Sequence, residues 1–217
     1  MQQLTIDTIN QESVQLFSIQ MKQTMPDFVK PGQFISVQTD DSDFAAYFAL
    51  TNLPNEPTSL LLKNEGKIAT QLCNSRPGDS IDLISIEGQG FQFNDVEDRV
   101  VRFVSMGSGI GPIRSLIRSL LAVGPRPKRI ELWHGAFHSS DLPYKSEIKD
   151  WQSKGLIFYP CYDQEGDQKN TVEKLKQLAP DLTDSILFHV GSVDFASDLS
   201  KVVFDLGLQQ QDFRTNR

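Results

Sequence analysis

A β-prone run, Val100 to Met106, leads straight into Gly107-Ser108-Gly109-Ile110-Gly111-Pro112, and a helical period follows at Ile113, Leu116, Ile117, Leu120 and Leu121. Apolar residues in that spacing share one face of a helix, and Arg114 and Arg118 fall off it. Pro112 suits the first helical position, because the N–H it lacks would have no intrahelical partner there. Gly107 and Gly109 can adopt φ > 0 and let backbone come close to a bound group. The turn thus offers N–H groups at the positive end of a helix dipole, which favours a diphosphate. Strand, glycine turn and helix in this order occur at the phosphate site of a doubly wound parallel sheet. Arg114, in the first turn, is placed to add a charge-assisted contact. A tight turn without a ligand is the plainer alternative. Glycines, strand, helix and proline all in register favour the ligand.

The pattern continues downstream. Strands are predicted at Ile130 to Trp133, Leu156 to Cys161 and Ile186 to Val190. Helices are predicted at Lys145 to Ser153, Thr171 to Leu178 and Phe195 to Leu206. Continuous apolar strands alternating with helices imply a parallel sheet covered on both faces. Residues 1–93 read differently. Short extended segments (Leu4 to Ile6, Val14 to Met21, Gln33 to Gln38, Ser59 to Lys63, Ser80 to Ser85) are separated by turn signals such as Pro31-Gly32 and Pro77-Gly78-Asp79. Ile68 to Cys73 is the one short helix expected there. The fold class is therefore all-β followed by α/β: an N-terminal antiparallel β-barrel or sandwich, residues 1–96, and a C-terminal doubly wound parallel nucleotide-binding domain, residues 97–217. The boundary falls in the polar stretch Asn94 to Arg99.

Composition removes several functions. Hydrophobic residues make up 39% and charged residues 23% of the 217, a globular balance. The net charge of −7 lies wholly in residues 1–96, with 5 Lys and Arg against 12 Asp and Glu, whereas residues 97–217 carry 16 of each. An acidic first half argues against nucleic acid, anionic membranes and a strongly acidic docking partner. Only Cys73 and Cys161 are present, without zinc or iron–sulfur spacing, so no metal is expected and electron transfer would need an organic cofactor. Two distant cysteines suit a reducing compartment. No leader pattern opens the chain and no run approaches the ~20 apolar residues of a membrane span, so a cytoplasmic location is expected.

The order of the two halves resembles the ferredoxin–NADP reductase superfamily over nearly the whole chain, in a divergent branch. Pro31-Gly32-Gln33-Phe34 is similar to that family's turn into a barrel strand. Tyr47-Phe48-Ala49-Leu50-Thr51-Asn52 stands at its flavin-binding strand. Leu62-Lys63 and Gly66-Lys67-Ile68-Ala69-Thr70 resemble the segment that holds the flavin diphosphate. Gly107 to Pro112 matches the nicotinamide-dinucleotide loop, and Gly135 and Gly191 follow later strands as its cofactor-facing glycines do. The resemblance implies a flavin-dependent NAD(P)H oxidoreductase or electron-transfer component with FAD (or FMN) and NADH or NADPH as cofactors, and an acceptor that includes redox proteins. It assigns flavin contacts to Phe48, Ala49, Leu50, Thr51, Lys63, Gly66, Lys67, Ala69 and Thr70. It assigns dinucleotide contacts to Gly107, Ser108, Gly109, Ile110, Gly111, Pro112, Gly135 and Gly191. The family's Arg-x-Tyr-Ser reads Ala46-Tyr47-Phe48-Ala49 here, its Cys-Gly-Pro reads Val190-Gly191-Ser192, and its arginine after Gly-Ala is Phe137. These departures motivate a second reading, a non-catalytic nucleotide-binding or regulatory module on the same fold. No side chain is assigned as acid or base.

The remaining polar residues carry weaker signals. His134 and His138 are four apart, but Gly135 breaks any helix between them, and a structural role is expected. His189 reads first as a core histidine and second as a neighbour of the nicotinamide. Ser139 and Ser140 read first as a helix N-cap and second as a 2′-phosphate contact. Asp163 either begins a turn or faces the adenosine ribose, where its charge would favour NADH. Asp40, Asp41 and Asp43 read as a solvated loop that lacks the ligands calcium needs.

Overall fold

The computed structural model describes residues 2–39, 44–122, 126–163 and 170–216. The acidic run at 40–43 lies outside them. Six strands form the first sheet: β1 (Gln2–Gln11), β2 (Leu16–Thr24), β3 (Phe34–Gln38), β4 (Ala46–Ala49), β5 (Pro57–Lys63) and β6 (Ser80–Glu87), with the short helix α1 (Lys67–Cys73) between the last two. Their order is β4-β3-β6-β1-β2-β5 and every pairing is antiparallel. Just past β4, Leu50 bridges Leu60 and Thr51 N–H donates to Ser59 O, so the two edge strands are drawn together as in a barrel. Side chains alternate inward along the strands: Leu4 and Ile6, Ile19 and Met21, Ile35 and Val37, and Leu60 and Leu62 fill one apolar core.

The second sheet comprises β7 (Val100–Met106), β8 (Arg129–Ala136), β9 (Leu156–Tyr162), β10 (Ser185–Val190) and β11 (Phe213–Arg214), all parallel, in the order β11-β10-β7-β8-β9. Helices α2 (Ile110–Ala122) and α3 (Lys145–Ser153) belong to one core with Val101, Phe103, Leu132, Ile186 and Phe188. Helices α4 (Thr171–Leu178) and α5 (Val193–Asp205) close the other face over Val104, Trp133 and Leu187. The period of two in these strands decides which residue meets which helix layer. The expected fold class is borne out; β11 was not anticipated, because its two residues carry no pattern of their own and are held by pairing with β10.

One charged cluster is buried in the α4/α5 layer. Arg102 Nε donates to Glu131 Oε2 at 2.9 Å, both side chains being almost fully covered. Arg102 also donates to Ser185 Oγ and Asp181 O, and Trp133 Nε1 donates to the same Glu131 oxygen at 3.0 Å. Arg129 reaches Glu131 Oε1 at 2.7 Å from the surface.

The two sheets are joined mainly through α2. Arg118 makes a two-pronged pair with Glu56 at 2.7 and 2.8 Å, and Ser115 Oγ donates to Asn52 O at 2.6 Å. The tail adds a second seam: Arg214 grips Asp95 at 2.6 and 2.7 Å, and Asn216 Nδ2 donates to Gly32 O at 3.1 Å. Phe91 and Val96, ahead of β7, are fully buried in the same core as α2. Among the described residues no helix is long and apolar enough to cross a membrane, and no group of His, Cys, Asp and Glu could hold a metal.

Candidate functional site

The glycine turn folds as one 3-10 turn, Gly107–Gly109, running into α2. The first N–H groups of such a helix have no partner within it. Gly107 takes φ 50, and a side chain there would meet nothing within 4 Å, so this corner opens outward. Gly109 and Gly111 are small for another reason. A Cβ at Gly109 would stand 2.9 Å from Val190 O, and one at Gly111 would stand 2.8 Å from Thr51 Cγ2. The first presses the turn against the end of β10, and the second lets α2 seat on the first sheet.

Two clefts flank the turn. One, of about 350 Å³, has Tyr47, Phe48, Ala49, Leu61, Leu62, Lys63, Glu65 and Ala69 on the first domain's side and Ser108, Gly109, Pro112 and Val190 on the other. The second, of about 490 Å³, is lined by Ser13 to Leu16, Lys63, Met106, Gly107, Ser108, Gly135 to His138, Asp141 and Asp163. Lys63 and Ser108 border both, so the clefts meet across the turn. A larger hollow of about 620 Å³ lies between α4 and α5, touching Met106 and Asp163 but not the glycine turn.

Several expected contacts fall elsewhere. Arg114 does not point at the turn: Nε donates to both oxygens of Glu147 at 3.0 and 2.9 Å, Nη1 donates to Thr51 O at 2.7 Å, and the guanidinium lies 5.0 Å from the Tyr144 ring centroid. It ties α2 and α3 to the chain just past β4. Ile110 and Gly111 are buried against the protein itself. Leu50 is sealed in the barrel core, and the Thr51 hydroxyl is hydrogen-bonded to Ser59 Oγ at 2.6 Å. Gly66, Lys67 and Thr70 lie around the start of α1, outside the lining of either cleft, although Gly66 (φ 83) is open to a ligand. A Cβ at Gly135 would meet Thr171 Oγ1 at 2.8 Å, and one at Gly191 would collide with the Phe195 ring. Ser139 and Ser140 do not cap; His138 does, with Asp141 reciprocating. Val14, Phe137, Met106 and Val190 line the clefts without a sequence signal for it. They come from four separate loops and strand ends, which no local period marks.

Replacing Arg114 with methionine should cost about 1.5–3 kcal/mol, the range for hydrogen bonds to a charged group. Thermal unfolding with and without the substitution checks this; an unchanged midpoint would show that the tie is idle.

His134 and His189 are core residues. The His134 ring shares a hydrogen bond with Ser105 Oγ at 2.9 Å, and burial pushes its pKa down to about 3. His189 stacks on Phe213 at 4.2 Å. Between pH 6.5 and about 3 the unfolded chain takes up a proton at His134 that the folded chain refuses. Stability from this residue is therefore complete above pH 6.5 and falls as pH drops, by ~1.4 kcal/mol per unit. A His134→Gln variant should show a shallower loss between pH 6.5 and 4.5 in denaturant titrations, and equal slopes would disprove the assignment. Burial also raises the thiols of Cys73 and Cys161 to about 11, so neither is a reactive nucleophile. Burial, then Glu173, raises Asp163.

The residues present fit a flat aromatic ring in the smaller cleft and a dinucleotide along the turn. Apolar walls face the first, and Gly107 leaves the second open. The phosphate end of a flavin finds less: the lining cation is Lys63, which is ion-paired with Glu65.

Residues 103–199 match the family described as the oxidoreductase NAD-binding domain. The chain is 28% identical to fruit protein pKIWI502 of Actinidia deliciosa over 152 residues, 61% of this chain and 46% of that protein. It is 27% identical to the flavodoxin/ferredoxin–NADP reductase of Shigella flexneri over 129 residues, 57% of this chain and 52% of that one. The chain thus spans about half the length of the curated relatives it matches. In structure it is similar to the flavohem-like FAD/NAD-binding domain of nitric oxide dioxygenase from Vibrio cholerae, with a TM-score of 0.82, 18% identity, and 98% and 96% of the two chains covered. Ferredoxin–NADP+ reductase from Plasmodium falciparum gives 0.80 at 13% identity, covering 98% and 94%. The chain has the fold of these reductase structures, and its residues 103–199 are similar to the oxidoreductase NAD-binding domain.

Proposed function

We propose that the chain is a flavin-dependent NAD(P)H oxidoreductase or electron-transfer module, divided at residues 96 and 97 into a flavin-binding barrel and a nucleotide-binding domain. One observation carries this reading: the smaller cleft is walled on one side by the barrel's Tyr47–Ala49 and on the other by Ser108, Gly109, Pro112 and Val190. A ring held by the first wall would face a nicotinamide held by the second. Reductases stand among both the relatives and the structural neighbours of the chain. Bound there, FAD or FMN supplies the hydride-accepting chemistry that no side chain of this protein can. The chain contributes position and dryness. The Gly107–Gly109 turn fixes the diphosphate, Phe48 and Ala49 present an apolar rim, and Pro112 and Val190 keep water from the ring. Electrons then leave to a small acceptor or a redox protein. Two unpaired buried cysteines fit a reducing cytoplasm.

The test is direct. The purified chain is titrated with FAD and FMN, then given NADH or NADPH without oxygen. Flavin uptake followed by bleaching of its visible band is expected. A colourless protein that never takes up flavin would overturn the reading. A second reading, a nucleotide sensor without redox activity, is favoured by Ala46 standing where the family carries arginine and by the Lys63–Glu65 pair. Calorimetry showing nucleotide binding alone would select it.

A further inference from the structure

Resting on the dinucleotide reading above, we propose that the larger of the two clefts holds the adenosine end of the nucleotide by stacking its base on Phe137, and that it accepts a free 2′-hydroxyl and rejects a 2′-phosphate, which makes NADH the substrate and not NADPH. The direction of the nucleotide follows from the two clefts. The diphosphate sits at the open corner of Gly107, and the nicotinamide belongs in the cleft bordered by Phe48 and Ala49. The adenosine then extends the other way, into the cleft that shares Ser108 and Lys63.

That second cleft is built for a base. Phe137, 52% exposed just past β8, and Val14, 75% exposed between β1 and β2, both line it, and Met106 closes its floor. Large apolar side chains left in water at a concave site mark a place where a ligand covers them. The cleft is equally unsuited to extra negative charge. Asp141 and Asp163 both line it, and the backbone of Asp163 is tied to that of Ala136, next to Phe137, by an N–H···O bond of 3.1 Å. The Asp141 carboxylate is fixed by His138 N–H at 3.2 Å. Among the described lining residues Lys63 is ion-paired with Glu65. No arginine is among them. A carboxylate accepts a hydrogen bond from a ribose hydroxyl, as in dinucleotide sites generally, and repels a phosphate in that place.

The experiment measures binding, so it does not depend on flavin. Calorimetric titrations of the full chain with NADH, NADPH and reduced nicotinamide mononucleotide are expected to rank NADH tightest, with NADPH weaker by about tenfold or more. The mononucleotide, lacking the adenosine, should be weaker still. Phe137→Ala should weaken NADH about tenfold through lost stacking, and Asp163→Asn should narrow the gap between the two dinucleotides. Both residues are exposed, so neither change endangers the fold. NADPH binding as tightly as NADH, or Phe137→Ala leaving NADH unaffected, overturns this proposal and spares the dinucleotide site. If neither dinucleotide binds, both fall together.

Discussion

Arg102→Met should lower the stability of the protein by about 3–5 kcal/mol, because it strands a carboxylate in the core. Glu131 would lose the Nε donor at 2.9 Å, Ser185 and Asp181 would lose theirs, and Trp133 would remain bonded to an anion without its buried counter-charge. Arg129 tempers the loss, since it still reaches the other carboxylate oxygen at 2.7 Å from a half-exposed position. For a chain of this size the midpoint of thermal unfolding should drop by on the order of 10 °C. Changing both partners, Arg102→Met with Glu131→Leu, should recover much of that loss, because the desolvation of the pair disappears along with its attraction. Calorimetry of wild type, the single and the double variant decides. A double variant no more stable than the single one would mean that the pair, and not its isolation, is what the core needs.

Gly111→Val should act where α2 seats on the first sheet. Its first carbon alone would stand 2.8 Å from Thr51 Cγ2 and 3.4 Å from Leu61 Cβ. Thr51 is bonded on both sides, to Ser59 through its hydroxyl and to Arg114 through its carbonyl, so it has nowhere to retreat. Overpacking of this kind costs about 1–3 kcal/mol. It should also tilt α2 and widen the cleft between Phe48 and Pro112, so weaker flavin or nucleotide binding accompanies the lower midpoint. Gly107→Ala makes the contrast. That corner has no neighbour within 4 Å, so any loss of nucleotide binding there would come from the φ of 50 and from a methyl group in the ligand's space. If Gly111→Val kept both stability and binding, the close seating of α2 would be shown not to matter.

Much of this arrangement was legible from the residues. The parallel sheet was visible because its strands are apolar on both faces and each is followed by a helical period. The turn was visible because glycine and proline stand where backbone geometry needs them. The barrel was visible only as short segments, and its near-closure through Leu50 and Leu60 was not, because a single bridge leaves no repeat to detect. Arg114 shows the limit most clearly. Its spacing said that it lay off the apolar face of α2, which is true, but spacing cannot say what covers the other face. That partner is Thr51, 63 positions earlier in the chain, together with Glu147 and Tyr144. Ile110 and Gly111 were read as ligand contacts for a similar reason. A motif names a stretch of chain, and only the packing separates the positions that meet a ligand from those that meet the protein. The capping by His138 escaped because imidazole is an uncommon cap and the neighbouring serines are common ones.

The latch along α2 also bears on how substrates get in. Swinging one lobe away from the other would mean rupturing Arg114 from Thr51, Ser115 from Asn52 and Arg118 from Glu56 at once. Hinge bending would have to overcome all three contacts together. On the function proposed above, the two walls of the smaller cleft stand at a set spacing before a ring arrives, and binding is expected without a closing step between the sheets.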